Sequence, residues 1–254
     1  MANTFQIDPA EQELLRSLPG GKPVMYQEWH DLLFLHFTAN PDEIQPLLPA
    51  GLSLDLHPDA SGKPMAWIGV VLFWMSGVRP TWSPSVPGVS KFPEFNVRTY
   101  VHREGKEPGV WFFSLDAANW LACKIARLTY ALPYWYARMS TERTLDRLEY
   151  QSIRLEGSSA ICKATATAAG KPYFAQPGTL EYFLVERYLL YSARGGELFT
   201  GRVWHTPYPL RTATVESCEQ TLTDASGIPG KPFIHTAFSD GVEVKVYKIE
   251  KVAG

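Results

Sequence analysis

The stretch KFPEFNVRTYVHREGKEPGVWFFSLDAANWLACKIARLTYALPYWYARM, Lys91 to Met139, decides how this chain is read. Phe95, Val97, Thr99 and Val101 alternate with Glu94, Asn96, Arg98 and Tyr100, the period-two pattern of a strand. Side chains of a strand point in turn to its two faces, so Glu94, Asn96 and Arg98 line one face together. Arg103 to Gly109 is charged and turn-rich, and the aromatic run Val110 to Leu115 can return antiparallel. A turn centred near Lys106 sets Arg98 opposite Ser114 and Asn96 opposite Asp116. Glu94, Asn96, Arg98, Ser114 and Asp116 then form one polar patch, although a one-residue slip would separate them onto two faces. Such a patch is either a solvent face or the polar lining of a barrel cavity. The other face, with Phe95, Val97, Trp111, Phe113 and Leu115, is apolar in both cases.

Outward from this stretch, the chain reads as short strands with a few inserted helices. Trp29 to Thr38 is a buried strand, and Leu52 to Leu56 and Met65 to Met75 are strands around the turn HPDASGKP. A short helix is expected at Pro9 to Ser17 with Asp8 as cap, and another at Pro41 to Leu48, with Asn40 as N-cap and Pro41 at its first position. Arg79 to Ser90, rich in proline, reads as an irregular loop of the kind that borders sites. The run NWLACKIARL is helical. Thr144 to Ile153, Ser158 to Ala168, Arg187 to Ser192, Glu197 to His205, Thr212 to Thr221 and Gly241 to Ile249 read as strands, and Thr179 to Glu186 as a helical turn. Many short strands with helices inserted rather than alternating predict a mainly β, α+β fold, a barrel or sandwich. Residues 1–23 read as an N-terminal arm and 24–254 as a single domain.

With 254 residues and 45% hydrophobic content, the chain can bury a sizeable core. Its net charge of −2 makes no electrostatic case for nucleic acid or an anionic membrane surface. The most apolar window, Met65 to Val78, is about 14 residues, short of the roughly 20 that span a bilayer. Three scattered cysteines, Cys123, Cys162 and Cys218, form neither a disulfide framework nor a CxxC pair, which suits a reducing cytoplasm. Glycine-rich phosphate loops, HExxH and GxSxG are absent. His30 and His36 share a strand face but stand about 20 Å apart at the rise of a strand, so no metal or other cofactor is expected. A homo-oligomer is allowed by the sequence and not specified by it.

Several residues carry two readings each. Arg98, mid-strand, needs an anionic partner if buried: Glu94, Asp116 or a substrate carboxylate. Asp116 suits the N-cap of the following helix, or joins the patch. Glu186 and Arg187 read as an ion pair at a strand start. His205 ends a strand before two prolines, with no neighbouring nucleophile for it to activate. Trp67, Trp74, Trp82 and Tyr134–Trp135–Tyr136 are core residues or pocket walls.

The strings WHDLLFLHF, EIQPLLPAGLSLD, FPEFNVRTYV, GVWFFSLDA, LPYWYARM, VERYLLY and HTPYPL together resemble the YqjF-like family of bacterial proteins, in the acetoacetate decarboxylase-like superfamily. The resemblance runs over about residues 24–250 and implies an acetoacetate decarboxylase-like β-barrel with a central cavity and a few flanking helices. The superfamily's decarboxylases use a lysine that forms a Schiff base, its pKa depressed by burial and an adjacent lysine. That lysine pair follows a proline shortly after a helix. The resemblance puts Tyr134 and Trp135 of Pro133–Tyr134–Trp135 at those positions, and neither can form an imine. The nearest lysine, Lys124, lies in the preceding helical run. Glu94 is similar to the superfamily's active-site glutamate, which also follows a proline in a strand.

Three functions follow. In the first, the cavity binds a small polar or anionic molecule, held by Glu94, Asn96, Arg98 and Asp116 and walled by Trp67, Tyr134 and Trp135. In the second, a lyase-like enzyme acts on a small keto or hydroxy acid without a Schiff base, with Glu94 as acid/base and Tyr134 as proton donor. In the third, the protein is structural and its barrel is filled by its own aromatics.

Overall fold

Strands dominate the protein, which is described from a computed structural model covering residues 7, 9–86 and 88–252. In chain order the first elements are α1 (Pro9–Arg16), β1 (Met25–Ala39), α2 (Pro41–Ile44), β2 (Ser53–Leu54), β3 (His57–Pro58) and β4 (Pro64–Pro80). The middle of the chain forms β5 (Phe92–Arg103), β6 (Lys106–Ala117), α3 (Trp120–Tyr130), β7 (Tyr134–Thr144), β8 (Arg147–Arg154) and β9 (Ile161–Tyr173). The last elements are α4 (Leu180–Val185), β10 (Leu189–Arg194), β11 (Glu197–His205), β12 (Leu210–Gln220), β13 (His235–Val246) and β14 (Glu250–Lys251). Asp8, the expected cap of α1, lies outside the described residues. Asn40 caps α2 as expected, and a 3-10 turn over Gln45–Leu47 replaces the rest of the expected helix, because Pro46 brings no amide donor. β7 has no counterpart in the sequence reading, since Tyr134, Trp135 and Tyr136 put aromatics on both faces and hide the alternation.

The strands form one large sheet whose pairings close on themselves. One circuit runs β5-β6-β7-β8-β9-β12-β13-β1-β4 and back to β5. A second leaves β6 through the parallel pair with β10, passes to β11, and rejoins at β13. The strands β13, β1, β4, β5 and β6 are therefore shared, and each of their faces looks into a different circuit. The alternation in β1 shows this directly: Leu32 and Phe34 belong to one buried cluster, and Leu33, Leu35 and Phe37 to the other. The circuit through β8, β9 and β12 is closed tightly by Leu148, Tyr150, Ala164, Ala166 and Phe238. The alternating alanines and threonines of β9 make this possible, because the alanines point inward and leave room for the opposite wall. Gly109 permits the β6–β10 closure, since a Cβ there would stand 2.8 Å from the Leu189 carbonyl oxygen.

The turn between β5 and β6 is tighter than its charge pattern suggests. Glu104 and Gly105 both have positive φ between the paired Arg103 and Lys106, the geometry of a two-residue hairpin loop. Register shifts follow, and Asn96 faces Leu115, Val97 faces Ser114 and Arg98 faces Phe112. Ser114 and Asp116 therefore face Val97 and Phe95, each one residue short of the expected partners Arg98 and Asn96. The slip sends Ser114 and Asp116 to the face opposite Glu94, Asn96 and Arg98.

Candidate functional site

The circuit closed by β10 and β11 encloses a cavity of about 420 Å³. Its wall includes Glu94, Asn96 and Arg98 from one face of β5, Phe112 and Leu115 from β6, and Tyr134 from the start of β7. Leu32, Val71, Phe73, Val203 and Tyr208 cover other sides, and Leu121, Ala122, Ile125 and Ala126 of α3 lie over it. The period-two pattern of β5 thus places three polar groups in a mostly apolar hollow. Among the described residues no group of three His, Cys, Asp or Glu side chains is placed to hold a metal ion.

Glu94 is 5% exposed. The Tyr134 hydroxyl donates to it at 2.6 Å, and the Asn96 side chain hydrogen-bonds it as well. Burial pushes its pKa up to about 7, against these two bonds, which favour the charged form. Burial, then the neighbouring Glu94 charge, pushes the Tyr134 phenol well above its ordinary range. The Asn96 side-chain oxygen is buried and has no hydrogen-bond partner.

Arg98 is 7% exposed. It donates to the Leu184 carbonyl at 3.1 Å and hydrogen-bonds the Tyr100 hydroxyl, and its Nε has no partner. The Tyr100 hydroxyl in turn lies 2.9 Å from Nε2 of buried His36, whose Nδ1 lies 3.1 Å from Nδ1 of His235. Burial, then His235 and Arg98, holds the His36 pKa well below its usual value, so the ring is neutral. Two other buried arginines are paired, Arg154 with Asp116 at 2.6 Å and Arg187 with Asp55 at 2.6 Å. Arg98 has no ion pair among the described residues.

Several expectations are corrected here. Asp116 neither lines the cavity nor caps α3. Its carboxylate takes three hydrogen bonds from Arg154 on the opposite face of β6, and Asn119 caps the helix instead. Trp135 points away from the cavity, against Gly157 and the Arg127 and Arg154 guanidinium groups, because it follows Tyr134 by one residue on a strand. Trp67 is buried outside the lining, its indole donating to the His57 carbonyl at 3.0 Å. Glu94 and Asp116 are not the partners of Arg98. Glu186 and Arg187 do not pair with each other: Glu186 takes the Tyr188 hydroxyl and faces Arg16, while Arg187 reaches Asp55. Lys124 stands over the Trp120 ring, 3.9 Å from its centroid. Tyr208 and the α3 wall are missing from the sequence reading, since only long-range pairing brings them to β5.

Comparison with known proteins places this geometry. A model of the DUF2071 family, described as an uncharacterized conserved protein, matches residues 26–243. The uncharacterized protein YqjF of Bacillus subtilis (strain 168) is 38% identical over 224 residues, 87% of this chain and 90% of that protein. Among solved structures, the enduracididine biosynthesis enzyme MppR complexed with pyruvate matches with a TM-score of 0.62 at 14% identity, over 93% of each chain. An acetoacetate decarboxylase-like enzyme from Sphingomonas wittichii RW1 matches with a TM-score of 0.60 at 12% identity, over 92% of this chain and 94% of that one. At such identities the likeness is one of fold. The chain belongs to the DUF2071 family of YqjF-like proteins, and it carries the fold of acetoacetate decarboxylase-like enzymes.

Proposed function

We propose that the protein binds a small organic anion in its cavity, with the carboxylate of the ligand on Arg98. One observation carries this reading. A guanidinium buried in a mostly apolar hollow, with an unused Nε and no ion pair among the described residues, is an uncompensated charge. A ligand carboxylate would supply the missing partner through charge-assisted hydrogen bonds. Glu94, near half-protonated at neutral pH, adds less repulsion than an ordinary glutamate would. A volume of about 420 Å³ is that of a small-molecule site, which argues against a barrel filled by its own rings. MppR, which shares this fold, is complexed with pyruvate, a small carboxylate. The cavity lining among the described residues carries arginines and no lysine. Three free cysteines are consistent with a cytoplasmic protein.

Titration calorimetry with a panel of monocarboxylates tests the reading. Arg98→Met is expected to weaken every acid that binds by at least tenfold, the loss of a charged hydrogen bond of about 1.5–3 kcal/mol. Equal affinities for the wild type and Arg98→Met would refute it.

A second reading keeps the same site and adds chemistry. A carboxyl with a pKa of about 7 is poised to give and take protons at neutral pH. A lyase acting on a keto or hydroxy acid would use Glu94 in that way. Tyr134 serves it less well as a donor, because its proton is already committed to Glu94. Turnover of keto and hydroxy acids by the wild type, lost in Glu94→Gln while binding persists, would select this reading over binding alone.

A further inference from the structure

We infer that the ligand is an amphipathic monocarboxylate, a carboxylate head on an apolar body of about eight to twelve carbons. The inference rests on the reading of Arg98 as the anion site and adds what lies beyond the head. The buried polar groups of the cavity lie along one strip of its wall, Glu94, Asn96 and Arg98 on β5, with Tyr134 and Arg187 beside them, while half-buried Gln27 and Arg79 line it from β1 and β4. Arg187 is already paired with Asp55, which leaves Arg98 as the buried cation free for an anion. Most of the remaining wall is hydrocarbon or aromatic, including Leu32, Val71, Phe73, Leu115, Leu190 and Val203. A small polar anion such as acetate would satisfy Arg98 and leave this surface unoccupied.

The apolar track also reaches solvent. Trp82, Val89, Leu121 and Ile125 line the cavity and are exposed, Trp82 by 85%. They come from the loop after β4 and from α3, which together form the mouth. Large apolar side chains left in water at a cavity mouth are an entry surface for an apolar body rather than for a hydrated ion. The same two segments carry one sign of charge. Residues 79–93 and 117–130 contain no Asp or Glu, and they contain Arg79, Lys91, Lys124 and Arg127, the last of them paired with Glu156. In a chain of net charge −2, that asymmetry draws an anion toward the mouth. Length follows from volume: about 420 Å³ holds on the order of a dozen groups of about 30 Å³ each, the space a water takes in the liquid.

The test is a chain-length series. Straight-chain saturated monocarboxylates from acetate to dodecanoate, each below its micelle concentration, are titrated into the full chain by calorimetry at pH 6, alongside pyruvate, succinate and octanol. Affinity is expected to rise about fourfold per methylene, the equivalent of burying one CH₂ group, and to stop rising at about eight to twelve carbons. Ala126→Trp, which places a large ring in the α3 wall, is expected to move the optimum to shorter acids. Pyruvate or succinate binding as tightly as octanoate, with the binding lost in Arg98→Met, would overturn the amphipathic ligand and leave the anion site standing. Octanol matching octanoate, or no acid binding at all, would overturn the anion site itself. The wild-type slope decides between these outcomes even if Ala126→Trp does not fold.

Discussion

Glu94 and Arg98 are four residues apart on one strand face, both buried, and each keeps a different charge state. Arg98 has no ion pair among the described residues, while Glu94 can take up a proton, and burial drives it to do so. The effect reaches stability. A carboxyl raised from its ordinary 4.5 to about 7 keeps its proton in the folded chain where the unfolded chain has lost it. Stability therefore falls as pH rises from about 4.5 to about 7 and is level above, a loss of roughly 3 kcal/mol at 1.36 kcal/mol per unit. Glu94→Gln has no such dependence, so the difference in denaturant midpoint between wild type and variant should change across that window and nowhere above it. Tyr134→Phe removes a donor to the carboxylate and should move the window to higher pH. A difference curve flat from pH 4 to pH 8 would remove Glu94 from the list of shifted groups. At this scale the sequence was informative: alternation alone put Glu94, Asn96 and Arg98 on one face. It was silent on whether that face met water, because burial is decided by strands far away in the chain.

The β5–β6 hairpin shows where local reading stops. Both strands are clear in sequence, and the turn is clear as a region, yet the loop closes at Glu104–Gly105 and the register shifts twice. Each shift moves a side chain to the other face, so a reading that is right about both strands still misplaces Ser114 and Asp116. Bulges leave little trace in hydrophobic patterning, since one extra residue in a run of aromatics such as Val110 to Leu115 breaks no rule. The helix boundary was obscured in a similar way: Asp116 and Asn119 are both good caps, and the end of β6 chooses Asn119. The outcome for Asp116 is testable. Asp116→Asn leaves the fully buried Arg154 guanidinium without its charge partner, a change expected to cost about 3–5 kcal/mol. Urea denaturation should report that loss, while carboxylate affinity in the folded variant stays within about twofold of wild type, because Asp116 faces away from the cavity. A variant that keeps its stability and loses binding would return Asp116 to the site.

At the scale of the molecule, the five shared strands divide a filled circuit from a hollow one, and the division is written in side-chain volume. The filled circuit is lined on β9 by alanines at Ala164, Ala166 and Ala168, which let the opposite wall come close. The hollow circuit keeps a cavity of about 420 Å³ between its walls. The alternating alanines were visible in the sequence. Which circuit they would fill was not, because the parallel β6–β10 pair and the β11–β13 pair join segments far apart in the chain. Two substitutions that each add carbon should therefore behave oppositely. Ala166→Leu forces a larger side chain into a fully buried, close-packed position and should cost about 1–3 kcal/mol in urea denaturation. Val203→Leu, on the half-buried cavity wall, adds one methylene to open space and should leave stability unchanged or raise it by up to about 0.8 kcal/mol. The same change narrows the hollow, so it should weaken the longest carboxylates first. Equal destabilisation by both would mean that the two circuits are equally full, and the case for a ligand in either would go with it.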